Sequence, residues 1–457
     1  MLAFYPHSIG EGEEVTPEIL TLYRQAKREG WTKQAFLHAV SKIEGIYVPS
    51  LYTHEYRADG TLARIVPQNS APERVTKRIV QSLDEALYPT DGIVPNTEIV
   101  HDRSNLEVMR GCIRGCRFCQ AGFTYRPVRP RSVQTLCRQA IESLEQSGCH
   151  EITLSSLSTS DYRDLPALTA QLQDYCTPRK INLSLPSLRA DNFSRELMLR
   201  LQQVRKSGLT FAPEAGTQRL RDAINKNGTE EEILETCAIA FEGGWNIVKL
   251  FFMLGLPTET DEDVLGIAAL VYKILKAWKE HASNKKRGVR IHVATAYFVP
   301  KPFTPFQWEK QISPEEYMRR QRLLKDNMPS KSVGYNWHDA DLSRLEAVLA
   351  RGDRRLCAVL EETVKRGARL DGWDEYFDYP LWLRAFAACG VDPDFYTVRG
   401  FGEDECLPWQ VISDGVQTDY LKKERALAYR SVTTPDCRTK CSACGASCLL
   451  NGGHCDA

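Results

Sequence analysis

Apolar positions change period along the chain, and the change divides it. Between about residues 100 and 300, short apolar runs of strand length alternate with longer segments whose apolar positions recur at helical spacing. The runs at 106–109, 151–155, 180–185, 209–212, 246–253 and 290–298 read as strands. Helical periodicity covers 132–146, 165–175, 195–204, 217–224, 230–241 and 261–281. Such alternation implies right-handed crossovers and a parallel sheet. The units are too few to close an eight-stranded barrel. The expected fold is therefore α/β, an open partial (β/α)6 TIM-like barrel, with its chemistry at the carboxyl ends of the strands.

The flanks read differently. Residues 1–94 form an N-terminal appendage: a helix with Thr16 as N-cap and Pro17 at its first position, and a second capped by Thr32. A hairpin over 47–66 turns at Asp59-Gly60. The opening, an apolar piece running into Ile9-Gly-Glu-Gly-Glu-Glu14, resembles the end of a longer front domain. The barrel is expected over 95–310, and an aromatic-rich helical cap over 311–430, its tryptophans and tyrosines mostly packing. A Cys-rich tail fills 431–457.

Composition narrows the classes. Lys+Arg and Asp+Glu are both 59, so no net charge argues for a nucleic-acid partner. The two most apolar runs, 247–257 and 264–275, are shorter than a membrane span and contain Lys249 or Lys273, so no membrane association is expected. No secretory leader opens the sequence. The 15 cysteines concentrate at two metal-type spacings, which points to a reducing cytoplasm rather than to disulfides.

The first concentration is Arg110-Gly-Cys112-Ile-Arg-Gly-Cys116-Arg-Phe-Cys119, directly after the first strand. Three thiolates on a glycine-containing loop suit a cubane cluster, and a missing fourth ligand leaves one iron open. Arg110, Arg114 and Arg117 are expected to lower the thiol pKa values and offset the anionic cluster. Zinc or redox thiols are the competing explanation for the motif. Other strand ends carry polar or glycine-rich elements: Ser158 and Thr159, Arg189, Glu214-Ala-Gly-Thr, and Gly255-Leu-Pro257. Taken singly, each reads as a cap or turn.

The spacing C-x3-C-x2-C, with Phe118 before the third cysteine, resembles the signature of the radical S-adenosylmethionine (SAM) superfamily. The resemblance implies a [4Fe–4S] cluster on Cys112, Cys116 and Cys119. It also implies SAM chelated at the open iron, cleaved by one electron to methionine and a 5′-deoxyadenosyl radical. A reductant such as flavodoxin or ferredoxin is implied as partner. Ser158 and Thr159 stand where many members carry Gly-Gly-Glu. Glu214 matches an element contacting SAM, and Gly255 and Pro257 match the segment holding the adenine end. Arg189 could pair with a carboxylate. Nearly the whole chain is similar to a subgroup with a cobalamin-binding-type domain fused in front, which would here be a separate domain or chain. No Asp-x-His-x-x-Gly signature occurs, which puts cobalamin use by this polypeptide in question.

The second concentration, Cys437-x3-Cys441-x2-Cys444-x3-Cys448, is expected to hold a second iron–sulfur cluster, or zinc, without any residue from the barrel loop. The tail should therefore be separable from radical generation. The sequence leaves the substrate open; methylthiolation or methylation of RNA or protein is one candidate. The alternative is a non-catalytic iron–sulfur electron carrier or a zinc-stabilised binding protein.

Overall fold

Side chains alternate along Ile247–Leu254. Val248, Leu250, Phe252 and Leu254 are buried, whereas Lys249 and Phe251 face solvent. That period of two makes a strand with one face on a core. The computed structural model describes residues 6–185, 209–329, 332–453 and 455. Within them, seven strands make up the two larger sheets: β1 (Ser104–Glu107), β2 (Glu151–Ser155), β3 (Asn182–Ser184), β4 (Leu209–Glu214), β5 (Ile247–Leu254), β6 (Arg290–Tyr297) and β7 (Val333–Trp337). They form a three-stranded sheet ordered β3-β2-β1 and a four-stranded sheet ordered β4-β5-β6-β7. β1 and β3 pair with β2 in parallel, as β4 does with β5 and β7 with β6. Among the described residues no sheet closes on itself.

Among the helices between the strands are α1 (Val133–Ser147), α2 (Leu165–Cys176), α3 (Gln218–Ala223), α4 (Glu230–Glu242) and α5 (Asp261–His281). Their starts follow from the local sequence. Ser132 and Thr217 accept the N–H of the third residue on, and Thr229 with Glu232 satisfies two otherwise orphaned N–H groups reciprocally. Leu136, Leu144, Leu168 and Leu172 bury one face of α1 and α2 against Leu106, Ile152, Leu154 and Leu183.

Six strands match the expected strand positions; β7 does not. Val333-Gly-Tyr-Asn-Trp lies within the segment expected as a helical cap, between two of its expected helices, and its mostly exposed positions give no apolar alternation. It is held by its ladder with β6, from Ile291↔Val333 to Thr295↔Trp337. The expected helix over 195–204, and Arg189, lie outside the described residues.

The chain divides into two compact units. One comprises Gln81–Ala296, Arg319–Trp337 and Glu424–Ala457, and holds most of the strands above. The other joins Met1–Val80, Tyr297–Met318 and His338–Lys423, so the N-terminal appendage and most of the helical cap share one unit. Val411 enters the core of Val15, Val40, Val48 and Val75, and the Val75 N–H bonds the Val411 carbonyl at 2.8 Å. Thr32 caps Lys33–Val40 as expected, and the hairpin Tyr52–Tyr56/Leu62–Pro67 forms. The first helix, Val15–Arg28, starts before Thr16, with Glu14 at the cap position. Full burial of Val15 accounts for the earlier start, and Pro17 still sits in the first turn, where its missing N–H costs nothing.

Candidate active site

The cysteine loop is pinched at its base. Met109–Arg110 pairs antiparallel with Arg129–Pro130, so β1 ends earlier than expected and a hairpin-like loop follows. Gly111 turns this loop at φ +84°; a Cβ there would stand 2.7 Å from the Pro127 carbonyl oxygen. Two sulfurs already accept backbone N–H groups: Cys112 Sγ from Arg114 at 3.5 Å and Cys119 Sγ from Gly122 at 3.4 Å. Cys119 thereby caps the short helix Gln120–Thr124.

Cys116 is close enough to Cys112 and Cys119 to raise the pKa of both thiols. Burial is the larger cause in each case, and it pushes Cys112 up to about 12. The expected lowering by arginine does not occur, because each guanidinium is claimed by a carboxylate. Arg110 pairs with Glu107 at 2.9 Å, Arg114 with Asp161 at 2.5 Å, and Arg117 with Glu424 at 3.0 Å. A metal must therefore displace the thiol protons itself, as thiophilic metals do. Among the described residues no three His, Cys, Asp or Glu side chains stand at closing distance round one point. The fit to a cluster rests on the donor set: three buried or half-buried thiols on one glycine-turned loop, with amide N–H groups directed at two of them.

Glu214 ends β4 at φ +67°, a strained conformation for a residue with a Cβ, just past a register shift in the ladder with β5. Its Oε1 lies 3.3 Å from Lys226 Nζ, and both charges act on Cys119. Gly216 lets this segment meet α5; a Cβ there would fall 2.3 Å from the Asp263 carbonyl oxygen. At the end of β5, Gly255 turns at φ +89° and donates its N–H to Glu259 at 2.7 Å. Pro257 follows in the turn, and Glu259 also receives Arg320.

The structure thus brings Glu214 beside the cysteine loop, and Gly216 joins that segment to the helix after Gly255 and Pro257. Ser158 and Thr159 behave differently. Both are buried at the end of β2, where Ser158 Oγ donates to Asp161 at 2.6 Å and Thr159 Oγ1 meets Ser156 Oγ at 3.0 Å. The Ser158 hydroxyl holds Asp161, which in turn holds Arg114 of the cysteine loop. Phe118 is half-buried.

Lys226, Glu259, Arg320 and Asn225 were missed from sequence. Asn225 donates to the Gly115 carbonyl at 3.0 Å and accepts the Thr434 N–H at 2.8 Å. It is fully buried against Gly115, where a Cβ would come within 2.9 Å of its Nδ2. A cavity of about 720 Å³ lined by Phe303, Trp308 and Trp409 belongs to the other unit and includes none of these residues.

The tail packs against the loop, a contact that the sequence did not announce. The Cys437 N–H bonds the Ile113 carbonyl at 3.0 Å. Arg117, fully buried, bonds the Val432 carbonyl at 2.7 Å, and Glu424 accepts from Thr434 at 2.7 Å.

A cysteine loop after the first strand of a parallel sheet, with a strained acid and a glycine turn at later strand ends, defines a cofactor-dependent α/β protein. Residues 106–271 match the model of the radical SAM superfamily, and residues 4–49 that of the N-terminal region of radical SAM proteins. The middle of the chain is thus similar to the radical SAM superfamily, whose members use a [4Fe–4S] cluster and SAM. An uncharacterized protein of Methanocaldococcus jannaschii is 29% identical over 70% of this chain and 68% of its own. The tRNA-2-methylthio-N(6)-dimethylallyladenosine synthase of Bdellovibrio bacteriovorus is 27% identical over 58% of this chain, which spans 55% of that enzyme. The ribosomal protein uS12 methylthiotransferase of Thermotoga maritima is 24% identical over 48% of this chain and 50% of its own. The chain thus spans about half the length of these methylthiotransferases. Among solved structures, the radical SAM methyltransferase TsrM from Kitasatospora setae aligns with a TM-score of 0.45 at 16% identity, covering 66% of this chain and 55% of its own. No described helix is long and apolar enough to cross a membrane.

Proposed function

We propose that the chain reductively cleaves SAM to start radical modification of a substrate. Cys112, Cys116 and Cys119 hold a [4Fe–4S] cluster in this reading, which supplies the electron for cleavage. The observation that carries it is the donor set: three buried or half-buried thiols on one strand-end loop, with amide N–H groups directed at two of them. Glu214 offers a carboxylate to the SAM amino group, and Lys226 offers a cation to its carboxylate. Gly255 and Pro257 hold the adenine end in this reading, and Glu259 fixes their turn through the Gly255 N–H. Ser158 acts one step further out, by holding Asp161 and Arg114 under the loop, and Thr159 ties the same turn to Ser156.

For the substrate, methylthiolation or methylation of RNA or protein is the favoured class. The methylthiotransferases among the relatives support it, and so does a second set of cysteines at 437–448 able to hold an auxiliary cluster. A flavodoxin or ferredoxin supplies electrons, in a reducing cytoplasm suited to 15 free thiols. The match at residues 4–49 supports the radical SAM subgroup with a front domain, which makes a separate cobalamin-binding domain or chain the partner to seek.

Anaerobic reconstitution followed by SAM and dithionite is the test. Formation of 5′-deoxyadenosine or another SAM-derived product is expected. A protein that carries its cluster and yields no such product would be an electron carrier instead.

A further inference from the structure

The cavity of about 720 Å³ lies wholly within the unit that holds most of the helical cap, its walls drawn from 63–74, 303–308 and 403–421. That volume is in the range of small-molecule sites. Phe303 and Trp409 supply aromatic walls, with ring centroids 6.5 Å apart and planes inclined by 54°. Phe401 packs edge-on against Trp409 at 5.9 Å. Rings held in this way offer a flat ligand a large contact, with little freedom left to lose on binding.

Gln307 organises one wall. Its Oε1 accepts the Phe303 N–H at 3.1 Å and the Trp409 indole N–H at 2.9 Å. Two donors at one atom decide which end of the amide is oxygen, and the Nε2 donor must then point the other way. Gln307 is 4% exposed, and its Nε2 has no acceptor among the described residues. Trp308 lines the same cavity at 2% exposure, and its buried indole N–H likewise has no acceptor among the described residues. Donors buried this deeply ordinarily find a partner. The fully buried Arg351 guanidinium stands behind, donating to the Gln307 and Tyr396 carbonyls at 3.2 and 2.7 Å. Its charge adds to the preference for an acceptor. Five carboxylates and two arginines line the cavity, and Arg64 already pairs with Glu55 at 2.6 Å. No surplus of positive charge is left to receive a phosphate.

We propose that this cavity binds a flat, unphosphorylated heterocycle that presents a ring carbonyl to the Gln307 amide and the Trp308 indole. Nucleosides and isoalloxazines share that chemistry. Phe303 and Trp409 give the ring its apolar contact, and Gln307 holds both of them in place while donating to the ligand. The cysteine loop lies in the other unit, so ligand binding here and SAM cleavage there can each fail without the other.

Isothermal titration of the full chain, without SAM, uses two pairs that differ only by a phosphate: guanosine with GMP, and riboflavin with FMN. At least one neutral compound should bind, and more tightly than its phosphorylated partner; this reading needs no variant to fold. Gln307→Glu keeps an oxygen for Phe303 and Trp409 and removes the amide donor. The two N–H groups and Arg351 hold the new carboxylate ionised. Trp308→Phe removes the indole donor and keeps a ring. Each variant, shown by near-ultraviolet circular dichroism to be folded, should bind about tenfold more weakly. Failure of both neutral compounds to bind, a preference for GMP or FMN, or wild-type affinity in either variant would overturn the proposal.

Discussion

Glu259 shows how far a single residue can depart from its sequence signal. In Leu-Pro-Thr-Glu it reads as an exposed turn acid, yet its side chain is 1% exposed. Burial pushes its carboxyl up to about 7 against the opposing Gly255 N–H and Arg320. The unfolded chain releases this proton near pH 4.3. Between there and about pH 7 the folded state binds more protons, so stability falls as pH rises through the window and levels off above it. The slope is at most about 1.4 kcal/mol per pH unit. Glu259→Gln keeps an acceptor for Gly255 and removes the titration. Urea unfolding at pH 5 and 7.5 should show the wild type losing about 1–3 kcal/mol more than the variant over that range. An equal loss in both would mean that Glu259 is ionised throughout. The three cysteines, Glu214 and Gly255 were legible because chemistry fixes their spacing or their motif. Lys226 and Asn225 were not, because their partners lie on segments distant in sequence.

At the scale of elements, period-two runs gave six strands and helical spacing most of the helices between them. The strand Val333–Trp337 escaped because an exposed edge with Gly334 and Asn336 needs no apolar alternation; its ladder alone defines it. The relation of the tail to the cysteine loop escaped for another reason. Arg117 and Glu424 are separated by hundreds of residues, and nothing in a lone arginine announces a buried partner. Because the Arg117 guanidinium is fully buried, Glu424→Ala leaves an uncompensated charge, a loss of about 3–5 kcal/mol. We expect a lower Tm and faster release of iron from the Cys112–Cys119 loop to a chelator, with Glu424→Asp intermediate. Wild-type values for both would show that the tail does not secure the loop.

For the whole molecule, the sequence separated a strand-rich middle from its flanks, but it could not show which flanks pack together. Residues 1–80 and 338–423 share one unit because apolar pairs such as Val75 and Val411 meet only in the folded chain. The family match covers the middle, where the cysteine loop and its strand-end partners lie. The central claim is that this middle binds SAM at an iron left open by three cysteines, beside Glu214. Electron paramagnetic resonance of the dithionite-reduced, reconstituted protein tests it directly. Adding SAM should change the g-values of the cluster on Cys112, Cys116 and Cys119, and the changing signal should be missing from Cys116→Ala. A reduced-cluster spectrum that stays the same at saturating SAM would contradict the account.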